Sequence, residues 1–280
     1  MFMLTNTSDR AFISTIIILF ILALGTVYIV LSVKQGSQPA SVETPLNISY
    51  TQRIDGAAAP TPGFTMPEGY GLTPTVMTPD DLLAVRSAVL EELTTQRQSV
   101  DWQTELAYVA EQASARTDDT YLTVLAIAND YSDTTLPSGQ TLRERIREQE
   151  ARMTEQLFSE TMPEFSEFVT ALAIEQDVAR PYQLDPSVRE SVPDRMDEPG
   201  YPSVPVAEVW LAAEILSDLD PDNAESYEAA ATAAGTPFIT EGFNYRPDLA
   251  AARSVAQAYA EVLTERPEYQ TLYRAAAAEW

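Results

Sequence analysis

Apolar positions follow two unlike patterns along the chain. Near the start, Ala11 to Val33 (AFISTIIILFILALGTVYIVLSV) carries no charge and is bounded by Asp9 and Arg10 on one side and Lys34 on the other. As a helix rising about 1.5 Å per residue it reaches about 34 Å, enough to cross a hydrocarbon layer of about 30 Å. Signal-peptide apolar regions are shorter, about 7 to 15 residues, and no small-x-small cleavage site follows, so a retained anchor in contact with lipid is expected. Arg10 and the terminal amine on one side face Lys34 and Arg53 on the other, which marks orientation only weakly.

From residue 34 to 77 no period of 3.6 or 2 is sustained. Pro, Gly, Ser, Thr and Ala dominate, as in GSQPAS and AAAPTPGFTMPEGYGLTP, and the segment reads as an extended linker. Helical periodicity begins at Thr78-Pro79-Asp80-Asp81, a cap, a first-turn proline and two acids ahead of Leu82, Val85, Val89, Leu90 and Leu93. Similar patterns predict helices over 100–115, 118–130, 139–158 and 163–179, a polar loop over 181–202, and helices over 205–219, 222–234, 247–265 and 267–279. No stretch alternates as a strand does. The predicted fold is therefore all-α, divided into a short tail (1–10), a single transmembrane helix (11–33), an extended linker (34–77) and a multi-helix domain (78–280).

Charge and composition narrow the chemistry. Asp and Glu number 42 against 17 Lys and Arg, a formal charge of -25, and Lys34 is the one lysine. Such a surface repels phosphate backbones, so nucleic acid is not an expected partner. The chain has neither cysteine nor histidine. That removes thiolate chemistry, the commonest metal ligand, the commonest general base and every Ser-His or Cys-His arrangement. A Ser-Lys pair would need Lys34, at the membrane edge.

Local motifs read as structure. Asp218-Leu-Asp220-Pro-Asp222-Asn223 resembles a calcium loop, but Asn223 stands where the turn glycine is needed and Ala229 where the bidentate Glu is needed. It is expected to be a turn with Asp220 as cap and Pro221 at the first helical position. Arg143, Arg145 and Arg147 alternate with acids and read as a solvated face with i,i+4 pairs. Leu136-Pro137-Ser138-Gly139 reads as a helix cap.

From Ala179 onward, short elements recur in a fixed order. Ala179-Arg180-Pro181-Tyr182 is followed by Tyr201-Pro202-Ser203-Val204-Pro205, then by Thr236-Pro237-Phe238 through Gly242-Phe243-Asn244-Tyr245 to Asp248. The tail continues through Arg253 and Arg266-Pro267-Glu268-Tyr269-Gln270 to Trp280. This order and spacing resemble the class A non-specific acid phosphatases, of the type-2 phosphatidic acid phosphatase and vanadium haloperoxidase superfamily. The family's pattern is a Lys, six residues and Arg-Pro; then Pro-Ser-Gly-His; then Ser-Arg, five residues, His, three residues and Asp. The likeness covers about the last hundred residues and extends less clearly back toward Val100.

In active members of that family one His takes the phosphoryl group, a second His protonates the leaving oxygen, and Lys, Arg, Ser and a backbone Gly hold the phosphate. Carried over by position, the resemblance implies that the nucleophile is replaced by Asn244 and the acid by Pro205. The glycine before the acid becomes Val204, the Ser-Arg pair becomes Pro237 and Phe238, and the Lys becomes Ala173. Arg180, Ser203 and Asp248 keep family identities. Neither phosphoryl transfer nor vanadate binding survives such losses, so no cofactor is expected.

The resemblance and the anchor together lead to the expectation of an inactive phosphatase-like domain serving as a structural or accessory subunit of an integral membrane protein complex. The host is a respiratory, photosynthetic, secretory or envelope assembly, in the inner (cytoplasmic) membrane, with the domain on the periplasmic side. The alternatives are an enzyme with a rebuilt carboxylate site and an anion-binding module using Arg180.

Overall fold

A computed structural model describes residues 76–185, 187–188 and 199–280. The predicted tail and transmembrane helix, and the linker up to residue 75, lie outside the described residues. Among those described, no helix is long and apolar enough to cross a membrane.

The described chain is helical, with one isolated bridge between Thr135 and Thr141 and no strand among the described residues. Its helices are α1 (Pro79–Ser99), α2 (Trp102–Gln112), α3 (Asp118–Asn129), α4 (Leu142–Glu148), α5 (Arg152–Gln176), α6 (Pro181–Leu184), α7 (Val204–Leu219), α8 (Ala224–Thr240), α9 (Arg246–Leu263) and α10 (Pro267–Ala277). The all-α expectation holds for this region.

Helix starts follow local chemistry. Thr78 and Asp81 form a reciprocal capping box, with Asp81 N donating to Thr78 Oγ1 and Thr78 N to Asp81 Oδ2, and Pro79 supplies a first-turn φ. Prolines likewise sit in the first turn of α7, α9 and α10. The centre is α7, buried on nearly every side from Pro205 to Leu219. It packs on α8, α9 and α5, while α1 lies on α9 and α10 on α5. An all-round apolar helix of this kind must be enclosed.

Several predicted boundaries move, and the loop expected over 181–202 opens with the short helix α6. The helix expected over 139–158 is broken at residues 149–151, where Glu150 adopts φ 51 and Ala151 is buried. The gap expected between 158 and 163 is helical instead: α5 runs through Pro163, and α8 likewise continues through Pro237. An interior proline removes one hydrogen bond, but the flanking Met162, Phe165 and Phe168 in α5, and Phe238 and Ile239 in α8, are buried and hold the helix on both sides.

Smaller expectations are corrected too. Leu136 to Gly139 is a turn, with Gly139 at φ 90 and its N–H on Leu136 O, whereas the helix cap is Thr141 paired with Glu144. Arg143 and Arg145 do not pair within their helix. Arg143 reaches Asp130 and Asp133, and Arg145 reaches Asp220. Asp220 and Pro221 do stand at the cap and first position of a helical turn as expected, and that turn is a short 3-10 segment, Pro221–Asn223, directly ahead of α8. The Asp220 carboxylate also accepts from Tyr227 Oη (2.7 Å) and Asn223 Nδ2, so internal partners occupy the oxygens that a calcium ion would need.

The packed domain begins earlier than residue 78. Val76 and Met77 are buried, and their N–H groups donate to Glu164, whose carboxylate also accepts from Tyr259 Oη at 2.7 Å. Tyr259 in turn packs against Phe165 and Phe168. A buried carboxylate thus ties the incoming chain to α5 and α9.

Candidate functional site

Three stretches of backbone bring the candidate residues together. Helix α5 ends at Asp177 in a left-handed conformation, and the chain turns so that Arg180 precedes α6, with its N–H on Gln183 Oε1. The second stretch, Gly200 to Ser203, leads into α7; Ser203 O accepts the first helical bond from Ala207 N. The third is the turn between α8 and α9. Here Gly242 N donates to Ile239 O and Phe243 N to Phe238 O, the paired bonds of a Schellman cap, with Gly242 at φ 75. A Cβ at that glycine would lie 2.3 Å from Val188 Cγ1, so space as well as conformation requires glycine there.

Asn244 follows this cap and is the hub. Its Oδ1 accepts from Ser203 Oγ (3.2 Å) and Arg180 Nη1 (3.4 Å), and its Nδ2 donates to Gly200 O (3.0 Å) and Asp248 Oδ2 (2.9 Å). Arg180 Nη1 donates also to Phe243 O at 2.9 Å. Asp248, in the first turn of α9, accepts the Tyr245 N–H at 2.8 Å, and its carbonyl receives Ser203 N. Every capacity of the amide is engaged.

The cluster is sealed. Arg180 is 2% exposed, Asp248 1%, and Ser203 and Asn244 0%. Trp102 covers the neighbouring surface, edge-on to Tyr201 and Tyr245 with ring centroids 6.3 and 5.1 Å away. Burial pushes the Asp248 carboxyl up to about 7, against the opposing pull of the Asn244 amide, the Tyr245 N–H and the Arg180 charge, while Glu105 adds a further upward push. One oxygen, Oδ1, is buried without a hydrogen-bond partner. It is the oxygen on which a proton is least opposed.

Of the nine candidates, Arg180, Ser203, Asn244 and Asp248 meet through their side chains. Phe238 is fully buried and joins through its carbonyl, which accepts from Asn244 N at 3.2 Å. Val204 and Pro205 open α7 directly after Ser203, half-buried and buried respectively. Ala173, buried in α5, and Pro237, half-buried in α8, bring no polar side-chain group to the cluster.

Two participants escaped sequence reasoning. At Gly200 a Cβ would stand 3.1 Å from Asn244 Nδ2 and 3.2 Å from Arg180 Cγ, so the close approach of Arg180 and Asn244 favours glycine. The Phe243 carbonyl is a main-chain acceptor, visible only once the turn is built.

The described hydrogen bonds of the cluster run among its own side chains and the adjoining main chain. Ser203 directs its hydroxyl to an amide oxygen, which is not a base, and the amide nitrogen of Asn244 has no lone pair for attack. Among the described residues no group of three His, Cys, Asp or Glu side chains is placed to hold a metal ion. Compared with known proteins, the chain matches no family model and no curated protein.

Proposed function

We propose that this chain is a catalytically inactive, acid-phosphatase-like domain tethered to a membrane, working as a structural or accessory subunit of a membrane protein assembly. The observation that carries the reading is the position of Asn244. It stands where the resemblance puts the phosphoryl-accepting His, and its amide binds Ser203, Asp248 and Arg180 to one another inside a cluster closed to solvent. A phosphate site has to be open to a dianion and offer cations to it. Here the Arg180 guanidinium is turned onto a carbonyl and an amide oxygen, and the neighbouring position holds Phe238.

The uncharged apolar run at 11–33 and the Pro- and Gly-rich segment at 34–75 support the second half of the proposal, since a catalytically silent domain held at a membrane acts through what it binds. Gentle detergent extraction of the full chain from native membranes, followed by identification of co-purifying proteins, tests this. Integral membrane partners are expected to remain bound, and deletion of residues 35–75 is expected to weaken that association while leaving the helical domain folded. Extraction as a lone monomer, with the deletion variant behaving identically, overturns the accessory role.

A further inference from the structure

Away from the sealed cluster, α7, α9 and α10 enclose an open groove with a cavity volume of about 420 Å³. Helical spacing explains its walls. Glu214 and Asp218 are four residues apart on α7, and Gln257 and Glu261 are four apart on α9, so each helix presents a polar ridge to the groove. Between the ridges, Ile215 and Ala260 give an apolar floor. Neither Lys nor Arg lines it, and none of the three acids forms an ion pair among the described residues.

A second observation sets this groove apart from an ordinary solvated acidic face. Tyr269 from α10 is 1% exposed and lines the groove, and its hydroxyl makes no hydrogen bond among the described residues. Burial, followed by the nearby carboxylate of Asp218, pushes its ionisation well above the usual range, so it stays a neutral phenol. A neutral phenol oxygen beside carboxylates is an acceptor for an N–H donor.

We infer that this groove binds an alkylammonium ligand, a linear aliphatic amine whose methylenes lie on Ile215 and Ala260. Its ammonium groups meet Asp218, Glu261 and Glu214, with one N–H donated to Tyr269 Oη. The apolar floor gives a carbon chain a surface to cover and gives a bare metal ion nothing. The same chemistry reaches the groove either as a free polyamine or as the lysine side chain of a protein.

Calorimetric titration of the full chain with spermidine, at an ionic strength of about 0.15 M to screen diffuse attraction, tests the inference. Saturable one-to-one binding is expected. Tyr269→Phe should weaken it about tenfold, as loss of a hydrogen bond to a charged group does, and Asp218→Asn about fivefold. Glu225→Gln, on an exposed acid at the start of α8, should leave it unchanged. Asp218 is exposed, so its variant remains informative if Tyr269→Phe disturbs packing. A blocked trilysine peptide separates the sources: tighter peptide binding assigns the groove to a partner's lysine, and tighter spermidine binding to a free polyamine. Absence of binding by both, equal displacement by magnesium at matched ionic strength, or wild-type affinity in both groove variants overturns the assignment.

Discussion

Two polar regions of this domain differ in how their charges are met. At Asn244, four side chains from three separate segments are buried together and bonded to one another and to the main chain of Gly200, Phe243 and Tyr245, with Asp248 Oδ1 left unmatched. At Asp218, three acids stand on a groove open to solvent, and a nearly buried phenol faces them with its hydroxyl unbonded. Burial without internal partners is costly, so a sealed polar cluster survives only when it is self-sufficient. An open acidic groove has no such requirement. The contrast separates a cluster whose polar groups meet partners inside the fold from a groove whose unmatched charge faces outward.

Substitution breaks the contrast most directly at the hub. Asn244→Ala leaves the Ser203 hydroxyl and the Gly200 carbonyl without their described partner and takes one of two described donors from Asp248, and is expected to destabilise the domain by about 3–5 kcal/mol. Asp218→Asn in the groove is expected to change stability by no more than about 0.5 kcal/mol. Urea unfolding of both variants measures the difference. Equal effects would mean that the cluster contributes no more to the fold than an exposed acid.

Asp248 sharpens the same comparison through pH. Its unfolded carboxyl titrates near 3.8 and its folded one near 7, so between those values the folded state keeps a proton that the unfolded chain has lost. The contribution is fully present below about pH 4, declines as pH rises, and is gone once pH passes about 7. Asp248→Asn mimics the protonated form at every pH. Relative to wild type it should gain on the order of 2–4 kcal/mol between pH 4 and pH 8, measured as the change in unfolding free energy difference across that range. A constant difference would show that Asp248 stays ionised in its buried site.

A smaller effect is expected at Gly200. Gly200→Ala places a methyl 3.1 Å from Asn244 Nδ2, and the cluster must yield by a few tenths of an ångström. A loss of about 1–2 kcal/mol is expected in thermal or urea unfolding. If Gly200→Ala is neutral, the Gly200 carbonyl approaches Asn244 less closely than described.

These effects also mark what the sequence made legible. Helix starts at Thr78, Val204 and Pro267 were readable because caps and first-turn prolines act locally. The break at Glu150 was not, since its left-handed backbone is accepted only where Ala151 packs into the core. Pro163 and Pro237 misled for the converse reason: local rules read a helix boundary, while burial on both sides carries the helix through. In the candidate site, the resemblance paired Asn244 with Asp248, and they stand two residues before α9 and in its first turn. The role of the amide as hub depends on Arg180, Gly200 and Ser203, tens of residues away in the chain, and on main-chain groups that have no signature in residue identity.

The central claim is that the Arg180–Asn244 cluster is closed and silent, and steady-state hydrolysis of p-nitrophenyl phosphate tests it most directly. Full-length protein, assayed from pH 4 to pH 8 beside Arg180→Gln and Ser203→Ala, is predicted to release nitrophenol at the uncatalysed rate in all three cases. Turnover by the wild-type chain that disappears in either variant would contradict the account and make the cluster an active site.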